Sequence, residues 1–277
     1  MRNDVGLLLY YGRRQKLDAH LDSLEEQSIF ILREAKAKFQ RIAMLWSTGK
    51  DSTLMLALCR KAFFGAVPFP AIHIDNGVDF PETYALRERL SREWKIPLLV
   101  AKSQIKLDAI SGMNCCGSNK TEALQGLMKQ HQFDGLIVSI RRDEHGIRSK
   151  ERYFSPRDQH FRWEYTDQPV EFLHHFSQPR GTAHVRIHPL LHWTELDIWE
   201  YIKAAQIPVN PLYFARNRRR FRSLGCTRCT VGVPSSAVDL DAIIAELKST
   251  DTLERTGRAQ DKEREYIMQK LRALGYM

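Results

Sequence analysis

The stretch Ser47-Thr48-Gly49-Lys50-Asp51-Ser52 constrains this chain most. It joins an apolar run, Ile42-Ala43-Met44-Leu45-Trp46, to Thr53-Leu54-Met55-Leu56-Ala57-Leu58. The first run reads as a buried strand and the second as the start of a helix. A strand that passes through a glycine turn into a helix leaves unpaired N–H groups and the positive end of the helix dipole facing one point. Ser47, Thr48 and Ser52 add hydroxyls there, and Lys50 adds a cation. The expected ligand is a phosphate, cradled by Ser47, Thr48, Gly49, Lys50, Asp51 and Ser52.

The loop is not a Walker A loop. That pattern places glycine where Met44 stands and Ser or Thr where Asp51 stands. Phe69-Pro70-Ala71-Ile72-His73-Ile74-Asp75-Asn76-Gly77 reads as a second strand ending in polar residues. In an open α/β sheet, ligands lie beyond the carboxyl ends of the strands. This puts Asp75 and Gly77 beside the phosphate loop, with Asp75 a candidate for Mg²⁺ or the nucleotide. His73 is a nucleotide contact or a packed strand residue. Asp51 suits holding the loop or Mg²⁺, since a carboxylate repels phosphate. Phe80-Pro81-Glu82 opens the next helix with proline in its first turn. The expected fold is α/β: an open, mostly parallel sheet with helices on both faces.

With 277 residues and 43% apolar content, the chain has enough material for one large core with an appendage. The expected division is a helical segment over 1–40, the α/β domain over 41–205, and a cysteine-containing loop with a helical tail over 206–277. No apolar run suffices to cross a bilayer. Met1-Arg2-Asn3-Asp4 does not open a signal peptide, so a cytoplasmic chain without a membrane partner is expected. Five cysteines there point to metal or catalytic use rather than disulfides.

The net charge of +9 suits a polyanionic partner. Arg216, Arg218, Arg219, Arg220 and Arg222 crowd one window, and Arg141, Arg142, Arg148, Lys150 and Arg152 form a second cluster.

The remaining pattern predicts an amphipathic helix over 17–40 and strands over 98–101, 134–140 and 184–190. The last is expected at an edge because of Pro189. A helix capped by Thr194 follows. Residues 214–234 read as irregular, and 240–274 as two helices around Thr256-Gly257-Arg258.

Ser-x-Gly-Lys-Asp-Ser resembles the PP-loop of ATP pyrophosphatases, which cleave ATP between its α- and β-phosphates. Arg141-Arg142-Asp143-Glu144, Ser149-Lys150-Glu151-Arg152 and Trp193-Thr194-Glu195-Leu196-Asp197-Ile198-Trp199 resemble the small subunit of bacterial sulfate adenylyltransferase. So do Ile207-Pro208-Val209-Asn210-Pro211-Leu212-Tyr213-Phe214 and Glu254-Arg255-Thr256-Gly257-Arg258-Ala259. The resemblance implies the phosphoadenosine-phosphosulfate reductase branch of that superfamily, with ATP and Mg²⁺ as cofactors. It implies that Arg141 and Arg142 contact the α-phosphate or the acceptor, and that Arg258 reaches the site from the tail. Trp193 and Trp199 read as helix-core aromatics.

The cysteines depart from that subunit. Cys115-Cys116, in a Met113-Asn114-Cys115-Cys116-Gly117 loop, followed by Cys226-Thr227-Arg228-Cys229 in another, resembles the iron–sulfur signature of assimilatory adenylyl-sulfate reductases. That resemblance implies a [4Fe–4S] cluster, and four-cysteine zinc is the chemical alternative. Cys59 sits at an apolar helix position and reads as core. No cysteine follows Cys229, so the reductases' tail nucleophile is missing and direct reduction is not expected.

An adenylating loop with a cysteine cluster and no reductase thiol resembles the ATP pyrophosphatase component of bacterial DNA phosphorothioate modification, in its Dnd and Ssp versions. That likeness implies adenylation of a DNA backbone phosphate and sulfur from a cysteine desulfurase. Other DNA-modification proteins would be partners, the five clustered arginines would lie along DNA, and self-association into a homo-oligomer stays open. Three alternatives stand beside it: a sulfate adenylyltransferase subunit working with a GTPase, a tRNA or small-molecule thiolation enzyme, and a non-enzymatic desulfurase adaptor.

Overall fold

The computed structural model describes residues 17–102, 115–144, 148, 151–163, 168, 170–172, 175–176, 181–250 and 254. The first helix, α1 (Ala19–Lys38), starts where the Asp18 carboxylate accepts the Leu21 N–H, and it buries Leu21, Leu24, Ile31, Leu32 and Ala35. β1 (Ile42–Leu45) leads through the predicted loop into α2 (Lys50–Ala62). β2 (Ala71–Asp75) is followed by α3 (Pro81–Glu93), with Pro81 in the first turn, where no N–H partner is needed. β3 (Leu98–Lys102) precedes α4 (Cys115–His131) and β4 (Gly135–Ile137).

β5 (Phe154–Arg157), a short hairpin of β6 (Glu171–Phe172) and β7 (His175–Phe176), and β8 (His184–Ile187) follow. α5 (Glu195–Ala204) begins with a capping box in which Thr194 and Asp197 satisfy each other's backbone N–H. A 3₁₀ turn over Pro211–Tyr213, a second small hairpin of β9 (Arg219–Arg220) and β10 (Val233–Pro234), and α6 (Leu240–Ser249) complete the described chain.

The main sheet has the order β3-β2-β1-β4-β8-β5. β5 is antiparallel to β8, and the other neighbours are parallel. The chain builds β1, β2 and β3 outward in one direction and then returns to the other side of β1. A topological switch point therefore lies between the carboxyl ends of β1 and β4. At the opposite, amino ends of these strands the packing is close: a Cβ on Gly135 would meet the Phe39 ring at 2.8 Å.

One face of the sheet packs on α1, α2 and α5 through Leu32, Leu54, Ile137, Ile187, Trp193 and Trp199. The other face packs Ala43, Ile72 and Leu136 against Ala123, Leu124 and Met128 of α4. The predicted open, mostly parallel sheet with helices on both faces is thus observed.

Three expectations on elements are corrected. β8 is an interior strand between β4 and β5, because Pro189 falls beyond its last ladder residue. Cys115 and Cys116 open a helix rather than sit in a loop. Residues 214–234 contain the β9–β10 hairpin.

Candidate active site

The phosphate loop sits at the switch point. Thr48 is buried and holds φ at 60°, an uncommon left-handed conformation for a β-branched residue. Among the described residues its hydroxyl is buried without a partner. Gly49 is the N-cap of α2 and offers no side-chain cap. The Lys50 N–H instead donates to the Tyr213 hydroxyl oxygen at 2.8 Å. Ser47 and Ser52 pair through their hydroxyls at 3.2 Å, and Ser52 Oγ also donates to the Gly49 carbonyl. The first turn of α2 therefore presents backbone donors and three hydroxyls at one place, as the sequence requires of an anion seat.

Two buried cations converge on it. Lys50 is 1% exposed and Arg141 is 0% exposed. The Lys50 ammonium contacts Asp51 Oδ2 at 3.1 Å and the Glu254 carboxylate. The Arg141 guanidinium reaches Asp143 at 2.9 Å and also binds Asp51 and Glu254. Burial alone would lower the Lys50 ammonium, but Asp51 and Glu254 hold it above the ordinary lysine range. Burial would raise Glu254, and Lys50 and Arg141 outweigh it and hold that carboxyl well below the usual range. Asp143 moves the other way, raised by burial, and Glu195 is raised by burial and by the nearby Glu254 charge. Lys50 and Arg141 thus stay charged.

A cavity of about 210 Å³ opens beside the loop on the α4 face of the sheet. Leu45, Ile72 and Ile74 form its floor, and Lys120 of α4 with Leu224 and Gly225 form its walls. An apolar slot ending at a phosphate seat matches a nucleotide in size and polarity. His73 donates from Nδ1 to the Trp46 carbonyl at 3.0 Å, leaving Nε2 in the cavity wall without a hydrogen bond. Burial lowers its imidazole, so it stays neutral. Asp75 is not among the residues that line this cavity. It accepts from the Gly77 N–H at 2.8 Å and the Tyr84 hydroxyl at 3.0 Å, and Arg87 lies 3.6 Å away.

Arg142 is separated from Arg141 and lies over the start of β5, bound to the Glu151 carbonyl at 3.0 Å and to His192. Arg258 lies outside the described residues. Glu254 and Tyr213 were not among the expected site residues. Both stand inside motifs quoted above, which is the signal that marks them.

A model of the phosphoadenosine phosphosulfate reductase domain matches residues 41–232. The chain belongs to this family. The phosphoadenosine phosphosulfate reductase domain here is 36% identical to the Rhizobium tropici sulfate adenylyltransferase subunit 2, over 99% of this chain and 98% of that one. It is 38% identical to the Rhodospirillum rubrum subunit, over 93% and 99%. Among solved structures it resembles the FMN adenylyltransferase of Candida glabrata, with a TM-score of 0.60 at 18% identity over 91% of this chain and 93% of that one. It also resembles the Candida auris phosphoadenylyl-sulfate reductase, with a TM-score of 0.52 at 17% identity over 79% and 100%. These two likenesses show a shared fold.

Cys226 directly follows Gly225, which lines the cavity. Cys226 and Cys229 are buried with their sulfurs 3.1 Å apart. Thr227 between them donates from its N–H and its hydroxyl to the Val78 carbonyl, at 3.0 and 2.9 Å. Position 116 lies one helical turn before Lys120 on α4. The Cys115 and Cys116 side chains lie outside the described residues. Cys59 is buried in the core, as expected.

The arginine window needs correction as a continuous basic surface. Arg220 is 1% exposed and donates to Glu246 at 2.7 and 3.1 Å, while Arg222 is 6% exposed and donates to Glu195 at 2.6 Å. The β9–β10 hairpin alternates its side chains, so neighbours in sequence part in space. Arg216, Arg218 and Arg219 remain exposed. Among the described residues no helix is long and apolar enough to cross a membrane.

Proposed function

We propose that this chain adenylylates an oxyanion acceptor with ATP, and that inorganic sulfate is the acceptor. An acceptor oxygen attacks the α-phosphorus, the bond from that phosphorus to the bridging oxygen breaks, and pyrophosphate leaves. The observation that carries this reading is the convergence of buried Lys50 and Arg141 on the first turn of α2. Sulfate is favoured because full-length relatives are named sulfate adenylyltransferase subunit 2.

In this reading the nucleoside occupies the slot floored by Leu45, Ile72 and Ile74. The triphosphate displaces Glu254 from Lys50 and Arg141, and these cations then offset charge on the leaving pyrophosphate. Asp51 and Glu254 are hard oxygen donors beside that seat, which fits Mg²⁺ held by one or two carboxylates together with phosphates. The ion would supply charge neutralisation to the polyphosphate. A GTPase subunit is the expected partner.

A second reading is favoured by one observation, the two sulfurs 3.1 Å apart beside the nucleotide slot. Zinc or a [4Fe–4S] cluster holds thiolates further apart than this, so Cys226 and Cys229 would have to spread to serve either one together with Cys115 and Cys116. In that reading the acceptor is a DNA backbone phosphate, the sulfur comes from a cysteine desulfurase, and Arg216, Arg218 and Arg219 bear on the DNA.

Acceptor dependence of pyrophosphate release separates the two. Release stimulated by sulfate and by a GTPase subunit supports sulfate activation. Release indifferent to sulfate but dependent on DNA and a desulfurase, from brown anaerobically purified protein, replaces it with phosphorothioation.

A further inference from the structure

Two of the five cysteines share one turn. Residues 226–229 are closed by the Cys229 N–H, which donates to the Cys226 carbonyl at 3.3 Å. The two sulfurs lie 3.1 Å apart. Thiolates held at about 2.3 Å by one tetrahedral zinc ion stand about 3.8 Å from each other. The observed approach is closer than that, and about 1 Å more closes it to a covalent S–S bond of about 2.05 Å. A turn of this kind keeps its end Cα atoms within about 7 Å, a separation that a disulfide tolerates.

The two thiols differ in access. Cys226 is 0% exposed and Cys229 is 6% exposed, while Thr227 and Arg228 between them are exposed. A small oxidant therefore meets Cys229 first, with the Cys226 sulfur behind it. Cys59 is fully buried on α2, and burial pushes its thiol up, so it stays inert.

The turn is tied to the nucleotide slot from two sides. Leu224 and Gly225, immediately before it, line the slot. Thr227 holds the Val78 carbonyl through its N–H and its hydroxyl, and Asp79, next to Val78, lines the slot as well. The covalent state of the turn is therefore felt in the cavity wall.

We propose that Cys226 and Cys229 are an oxidation site, a dithiol that peroxide converts to a disulfide which fixes the wall of the nucleotide slot. The Cys229 sulfur attacks one peroxide oxygen, the O–O bond breaks, and a sulfenic acid and water form. The Cys226 sulfur then attacks the Cys229 sulfur, the S–O bond breaks, and hydroxide leaves with the thiol proton as a second water. Two electrons pass from the sulfurs to the peroxide. A small dithiol reverses the change by exchange and ends as its own disulfide. The new bond removes freedom from the turn before a nucleotide arrives, so binding has less left to order. By linkage, a bound nucleotide makes the disulfide harder to reduce by the same factor. This rests on the nucleotide placement in the reading above and on no particular acceptor.

The test takes the full chain, reduced and then treated with hydrogen peroxide, with zinc and iron measured at each stage. Trypsin cuts after Arg228, between the two cysteines, so the disulfide shows as two cross-linked peptides that part on reduction. Cys226 should join Cys229, and Cys59 should stay a thiol. The oxidised chain should bind a non-hydrolysable ATP analogue roughly two- to tenfold more tightly, and a dithiol should restore the original affinity. In Cys226→Ser no thiol resolves the sulfenic acid, so Cys229 should go on to the sulfinic acid. The wild-type peptide map decides the point if that variant fails to fold. A pair left reduced, a cross-link from Cys229 to Cys115 or Cys116, or zinc or iron released as the thiols react overturns the proposal. A disulfide that leaves analogue affinity unchanged overturns its control of the slot. A mapped Cys226–Cys229 disulfide in a chain that binds no analogue in either state keeps the oxidation site and rejects the nucleotide placement.

Discussion

The Lys50 ammonium is bound by the carboxylate of Glu254, 204 residues further along the chain. Arg141 binds the same carboxylate, so one tail residue bridges both cations at the switch point. Phosphate oxygens entering the seat compete with Glu254 for the same donors.

Glu254→Gln should destabilise the chain by about 3 kcal/mol at neutral pH. That is the low end for breaking a buried pair, because Asp51 still serves both cations. The folded-state carboxyl of Glu254 is depressed, so its contribution is present above the ordinary carboxylate range and is lost as pH falls through and below about 4. Urea unfolding of both proteins from about pH 6 to about pH 3 should show their stabilities converging. Parallel curves would mean that Glu254 does not carry this term.

Lys50→Met removes a cation from the seat. Pyrophosphate release should fall by about a hundredfold or more, on the scale of losing one transition-state charge contact. Nucleotide binding through the apolar slot should weaken less. Steady-state kinetics beside equilibrium nucleotide binding separates the two effects, and unchanged turnover would remove Lys50 from the reaction.

Tyr213→Phe leaves the Lys50 N–H without the oxygen it now reaches at 2.8 Å. An unsatisfied buried donor should cost about 1–3 kcal/mol in the ligand-free chain. Inorganic pyrophosphate offers that N–H a new acceptor, so the stability gap should narrow at saturation. Thermal melts with and without pyrophosphate test this, and a gap that ignores pyrophosphate would place the phosphate elsewhere.

Arg220→Ala and Arg218→Ala differ by two positions and should differ strongly in effect. Arg220 is buried against the half-buried Glu246, so its loss should destabilise by about 2 kcal/mol, discounted for the partner's access to solvent. Arg218 is exposed, and its loss should stay within about 0.5 kcal/mol. Equal effects in urea unfolding would contradict the observed burial.

The loop from Ser47 to Ser52 was legible because its meaning is local: an apolar strand, a glycine and a helix start need no distant partner. The same holds for Pro81 and for Thr194 with Asp197. Glu254 and Tyr213 were not legible as site residues, because an ion pair or hydrogen bond across 204 or 163 residues leaves no periodic trace. Arg220 and Arg222 read as surface because a run of arginines hides which side chains the β9–β10 hairpin turns inward. β8 read as an edge because Pro189 was counted inside it, two residues past the end its ladder reaches. The antiparallel strand β5, with Pro156 in its middle, gave no strand signal at all.

Thr48 keeps a left-handed backbone that a β-branched residue adopts at a loss of about 1–2 kcal/mol. The surrounding fold supplies that energy before any ligand arrives, so the Thr48 turn is already formed and only Glu254 and Tyr213 have to release Lys50 on binding. Selection for thermal robustness alone would relax position 48 toward glycine and discard its hydroxyl. Thr48 is therefore a place where the chain gives up stability to keep a turned loop with a buried hydroxyl.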